Sequence, residues 1–403
     1  MRATKVLAAT ATTAAAIAGG AWLWWHQGEI ATRRPINEWT FTHMHRVMPT
    51  EEVRRPARTR LLPAAPRPLP VADIAYTFDG REHRLDELHC RTRTTGFLVL
   101  HRGRLLHESY PGVFASPSAR FQLFSLTKSV TSMLFGIALE RGELASTDER
   151  VSEVLPQLAG TAYDGVTIAQ LLDMRSGVGG VEDWTIPDAP IRRFETAVTT
   201  GGSVLDVIRS TPRVRAPGTA FNYSTIDTHV LGWVLEAATG TTIADYAEQR
   251  LWQPMGAESD AYYFLTRGHP RTALGGGSLN ATVRDTARVG AIMAAGGRVD
   301  DVQLVPEAWV ARSRGSQLPQ LQPGALVDGG GYAHYGYSNQ WWTLGGERRA
   351  FTGLGVHGQY LWVDPDSETV IVKTSAWNTA DDEAKDRETC AALAAVVEAV
   401  ERL

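Results

Sequence analysis

At 403 residues the chain has room for two or three domains, and 43% apolar with 21% charged residues is the composition of a globular protein. Forty Lys and Arg against 44 Asp and Glu leave a net charge of −4 with no basic stretch, which argues against a nucleic-acid partner. The two cysteines, Cys90 and Cys390, are too far apart in sequence for a Cys-x-x-Cys site, so a cysteine-based zinc or iron–sulfur centre is excluded.

The first recognisable element is an uncharged run over residues 6–25, preceded by Arg2 and Lys5 and followed by Arg33-Arg34. Its length suits a bilayer span, and Trp22, Trp24 and Trp25 cluster at its end as interfacial aromatics do. Ala16-Ile17-Ala18 also offers a signal-cleavage pattern. Residues 1–27 are therefore read as a membrane anchor or a cleaved signal, and either places the rest of the chain outside the cytoplasm. In an exported chain Cys90 and Cys390 either form a disulfide or stay as two buried thiols. Residues 28–85, with Pro63, Pro66, Pro68 and Pro70, read as an extended arm or linker. His43 and His45 within it lack further ligand partners, and neither a metal nor another cofactor is expected.

Regular patterning begins near residue 96. Two apolar runs around His101-Arg102-Gly103-Arg104 predict a hairpin, and residues 125–142 predict a mostly buried helix ending at Gly142. Helical stretches follow at 168–174, 204–208, 226–238 and 284–295. Strands return at 337–344, 359–363 and 369–374, the last two flanking the turn Asp364-Pro365-Asp366. A closing helix carries Leu393, Val396, Val397, Val400 and Leu403 on one face. This order predicts an α+β fold: an antiparallel sheet built from both ends of the chain, flanked by helices, with a mainly helical part at about 143–300 inserted in a domain spanning 86–403. A site is expected where the two parts meet.

Ser125 and Lys128 stand three apart at the start of the predicted helix, on one face of it. A serine hydroxyl needs a base, and a lysine serves as one only where burial or a helix N-terminus disfavours its charge. Tyr223, in Phe221-Asn222-Tyr223-Ser224-Thr225 before another helix, can relay that proton to a leaving group. The segment 352–359 matches Gly-x-Gly-x-x-Gly but runs into a strand, so a dinucleotide site is rejected.

Ser125-x-x-Lys128, then Tyr223, then Gly353-Leu354-Gly355 entering a strand resemble the three boxes of the penicillin-recognising serine hydrolases, a β-lactamase/transpeptidase-like fold. The phrases at 124–128, 171–177, Tyr335-Gly336-Tyr337 with Trp341-Trp342, and 355–359 are similar to the 6-aminohexanoate-dimer hydrolases and family VIII esterases within that group. The resemblance implies a serine acyl hydrolase that cleaves a small linear amide or ester through an acyl-enzyme; the alternative is a member that binds a cell-envelope ligand without turnover. It implies Ser125 as nucleophile, Lys128 as base, Tyr223 as acid/base, and the backbone N–H groups of Ser125 and Val356 as oxyanion hole. Trp184, Thr225, Gly355 and His357 are then the expected substrate contacts.

Three departures matter. Thr225 stands where β-lactamases carry Asn, and its hydroxyl can bond a substrate but lacks the amide's separate donor and acceptor. Gly353 stands where the family carries a cation that clamps a β-lactam carboxylate, with Arg348 or Arg349 as possible replacements. Trp184 stands where the dimer hydrolases carry Tyr, and an indole N–H donates but does not accept, which weakens assistance to an amide more than to an ester.

Overall fold

The structure, a computed structural model, describes residues 27–403 apart from 181, 328, 329 and 347. The run at 6–25, and with it the anchor or signal, lies outside the described residues. Among the described residues no helix is long and apolar enough to cross a membrane.

A seven-stranded antiparallel sheet is the frame. It is built from β1 (Thr94–His101), β2 (Arg104–Ser109), β3 (Gly336–Ser338), β4 (Trp341–Thr343), β5 (Phe351–Gly355), β6 (Gln359–Asp364) and β7 (Thr369–Ser375), in the order β3-β4-β5-β6-β7-β1-β2. The two ends of the chain meet where β7 pairs with β1, Ile371 opposite Val99. Arg102 and Gly103 both have positive φ, the conformation that a two-residue hairpin turn demands. The stretch expected as one strand at 337–344 is two, because Asn339 and Gln340 also adopt positive φ and reverse the chain between β3 and β4.

Successive side chains on a strand point to opposite faces, and here both faces are buried. Leu98, Leu100, Val370 and Val372 join the core shared with α1 (Leu126–Glu140), α2 (Thr225–Thr239) and α3 (Val283–Ala294). Phe97, Val99 and Ile371 pack on the other side with Leu393, Val396 and Val397 of α4 (Glu383–Glu401). Continuous apolar strands are the sequence mark of this double covering. Under α4, the buried Asp386 carboxylate accepts from the Tyr335 and Tyr360 hydroxyls. Cys390 lies 2.8 Å from the same Tyr335 hydroxyl. Cys90 is exposed, and the two cysteines are free thiols.

Residues 28–85 are not a linker. Helices Gln27–Thr32 and Asn37–His43 lead into strand Thr50–Val53, which pairs with Ala261–Phe264 in a four-stranded sheet completed by Leu279–Ala281 and Phe121–Gln122. A hairpin, Ala75–Phe78 with Arg81–Arg84, follows. Only the proline-rich stretch lacks regular structure of its own, and even there Ala65 N–H and Leu105 N–H bond across to Leu105 and Pro63 carbonyls. The mainly helical part holds the predicted helices, and in addition Pro190–Thr200 and the strands Ala261–Phe264 and Leu279–Ala281.

Candidate active site

Ser125 and Lys128 come together because Ser125 opens α1 and the helix carries Lys128 back over it by one turn. The residue before Ser125, Phe124, is held at φ 49°, so the chain turns sharply into the helix and presents the hydroxyl. Lys128 Nζ donates to Ser125 Oγ at 2.9 Å, to Thr225 Oγ1 at 3.0 Å and to the Gly276 carbonyl at 2.8 Å. Burial pulls its ammonium down to about 8. Tyr223 stands against the same lysine: the Lys128 ammonium lies 4.9 Å from the centre of its ring. Burial, with the Glu182 charge, pushes the Tyr223 phenol well above its usual range, so it stands as a proton donor.

Glu182 is the residue that sequence reasoning did not single out. Thr225 N–H donates to its Oε2 at 2.6 Å and Thr225 Oγ1 to its Oε1 at 3.0 Å. Its carboxylate charge raises the affinity of Lys128 for its proton, while its own burial raises the carboxyl. The result is one polar chain, Glu182 to Thr225 to Lys128 to Ser125. The only sequence signal was an acid two residues ahead of an aromatic in a Gly-rich loop.

Beside Ser125 opens a cavity of about 730 Å³. Ser125, Val356, Trp184, Thr225 and His357 all border it. No other group among the described residues takes up the Ser125 or Val356 backbone N–H. Thr225 has an internal role, since its hydroxyl already accepts from Lys128 and donates to Glu182. Gly355 does not border the cavity: a Cβ there would sit 2.4 Å from the Leu123 carbonyl oxygen, so its task is to let β5 approach the start of α1. His357, 5% exposed, donates from Nδ1 to the Trp377 carbonyl at 3.0 Å and packs against Phe124 and Phe41 at 5.4 and 5.0 Å between ring centres. Burial lowers its pKa to about 4, so it is neutral and acts as a prop for Phe124.

The place of the missing clamp is filled. A Cβ on Gly353 would meet Ser129 Oγ at 3.0 Å and Leu126 Cγ at 3.1 Å. Neither arginine replaces the charge, because Arg348 is bound to Asp364 and Glu401 and Arg349 to Asp366. Lys373 is buried on the opposite face of β7, donating to Ser375 Oγ at 2.6 Å.

Residues 80–395 match the β-lactamase family model. The chain belongs to the β-lactamase family. It is 32% identical over 356 residues to a 6-aminohexanoate-dimer hydrolase from Paenarthrobacter ureafaciens, covering 86% of this chain and 87% of that one. Esterase EstB from Burkholderia gladioli is 29% identical over 206 residues, 47% of this chain and 51% of the esterase. Among solved structures, a Bacillus anthracis protein provisionally named a 6-aminohexanoate-dimer hydrolase superposes with a TM-score of 0.82 at 25% identity, over 93% of this chain and 96% of its own. A family VIII carboxylesterase shares the fold, with a TM-score of 0.57 at 16% identity over 79% and 96%. The β-lactamase/transpeptidase-like fold, with antiparallel sheets flanked by helices, stands with these neighbours, and this member of the family is a serine hydrolase.

Proposed function

We propose that the protein cleaves small linear esters or amides through an acyl-enzyme on Ser125. The observation that carries this is the Ser125 hydroxyl held at 2.9 Å by a buried lysine that also lies 4.9 Å from the centre of the Tyr223 ring, with Ser125 and Val356 bordering one cavity. In its neutral form Lys128 keeps donors for Thr225 and Gly276 and turns its lone pair to Ser125. The Ser125 proton passes to Lys128 as Oγ attacks the carbonyl carbon, and the amides of Ser125 and Val356 hold the developing oxyanion. Tyr223 gives its proton to the departing oxygen or nitrogen and is reprotonated from Lys128. Water then attacks the acyl-enzyme by the reverse proton path and frees Ser125.

Esters are the better substrates in this reading, because Trp184 borders the cavity where a hydroxyl would assist an amide. The names of two relatives, a dimer hydrolase acting on an amide and an esterase, bracket the same chemistry. The enzyme works outside the cytoplasm, on the strength of the run at 6–25 behind Arg2 and Lys5. The test is labelling by a fluorophosphonate probe. The purified chain is expected to label and the Ser125→Ala variant to stay unlabelled; a labelled alanine variant would move the nucleophile elsewhere.

A further inference from the structure

The lining of the cavity beside Ser125 carries a substrate class for the acyl-enzyme reading on which the inference rests. The lining includes Phe41, Met44 and Met48 from the N-terminal segment and Ile191, Phe194 and Val198 of the helix Pro190–Thr200. All six are apolar. The charged groups on the wall are occupied: Arg192 is bonded to Glu195 at 3.0 Å, Glu182 is held by Thr225, and Arg33 is engaged in a polar interaction as well. Tyr223, which delivers the proton to the leaving atom, stands outside this lining, its ring stacked on Trp342 at 5.4 Å. With the leaving group on the Tyr223 side and the oxyanion at the Ser125 and Val356 amides, the acyl group is what remains to enter the apolar chamber. An acetyl group leaves most of about 730 Å³ empty.

We propose that this chamber is an acyl pocket for an uncharged, unbranched apolar chain of medium length, and that Phe41, Met44 and Met48 set the length accepted. These three residues precede the part of the chain matched by the family model at 80–395, so the device is supplied from outside it.

The full-length chain is assayed on p-nitrophenyl acetate, butyrate, octanoate and dodecanoate, and on p-nitrophenyl esters of succinate and 6-aminohexanoate, with fluorophosphonate labelling of Ser125 in parallel. Each methylene taken out of water multiplies kcat/KM roughly fourfold, so octanoate should exceed acetate by at least about a hundredfold. Met44→Trp fills the chamber and should cut the octanoate-to-acetate ratio at least about tenfold. Met44→Ala enlarges it and should raise the dodecanoate-to-octanoate ratio severalfold, which keeps the test open if the tryptophan variant does not fold. A chain that labels at Ser125 and cleaves acetate as well as octanoate, or that prefers either charged ester, overturns the acyl pocket alone. A chain that neither labels nor cleaves any ester overturns the acyl-enzyme reading beneath it.

Discussion

Lys128, 1% exposed, gives all three of its donors to neighbours and, among the described residues, has no carboxylate in direct contact. Its burial lowers its affinity for a proton and the Glu182 charge, one threonine away, raises it again. As the base must be neutral, kcat/KM should climb with pH through about 8. Replacing Glu182 by Gln removes the charge that favours the ammonium, so the same rise should move to lower pH; a pH profile of kcat/KM checks the sign, and a shift upward would mean that Glu182 does not act through Lys128. Ser125→Ala should lower turnover by on the order of 10⁴ or more. Its melting temperature should barely change, because the Ser125 side chain caps none of the helix N–H groups. The contact of Ser125 with Lys128 was legible because one helical turn links them, and the nearness of Tyr223 from its place before a helix together with the resemblance. Glu182 was not, because its partner Thr225 lies 43 residues further on and meets it only in the fold.

At the scale of elements, the N-terminal segment shows what composition misses. Clustered prolines and weak periodicity read as a linker, yet Phe41 packs edge-on to Phe124 at 4.8 Å, and Asn37 Nδ2 donates to the Trp377 carbonyl at 3.2 Å. Strand Thr50–Val53 is too short to show alternation, and its place is decided by pairing with residues some 200 positions away. Deleting residues 1–48 therefore should not behave as the trimming of an arm. It strips the cover from Phe124, His357 and Ala376, and thermal melting should fall by roughly 10 °C or more, by the usual cost of exposing several core side chains. A truncated chain that melts with the full one would show the segment to be dispensable. Gly355 belongs to the same scale: Gly355→Ala forces β5 off the start of α1, so soluble yield and labelling should both collapse.

For the molecule as a whole, strands first, helices between and strands last foretold a sheet closed from both ends, since β1 has apolar residues for two faces and needs β7 beside it. The cavity lies where this sheet meets the helical part, and that too followed from order alone. What order could not tell is how near the cavity lies to the start of the chain. Ala31, Thr32 and Arg33 border it, and the apolar run ends at Trp25. Six residues reach at most about 20 Å. If that run is a retained anchor, the cavity therefore opens close to a membrane surface, on the side away from Arg2 and Lys5. Protease added to spheroplasts should degrade the domain, while the protein still sediments with membranes after a high-salt wash. A soluble product lacking its N-terminal residues would select the cleaved signal instead. Protection until the cells are lysed would put the domain in the cytoplasm and end the export reading, whatever the chemistry at Ser125.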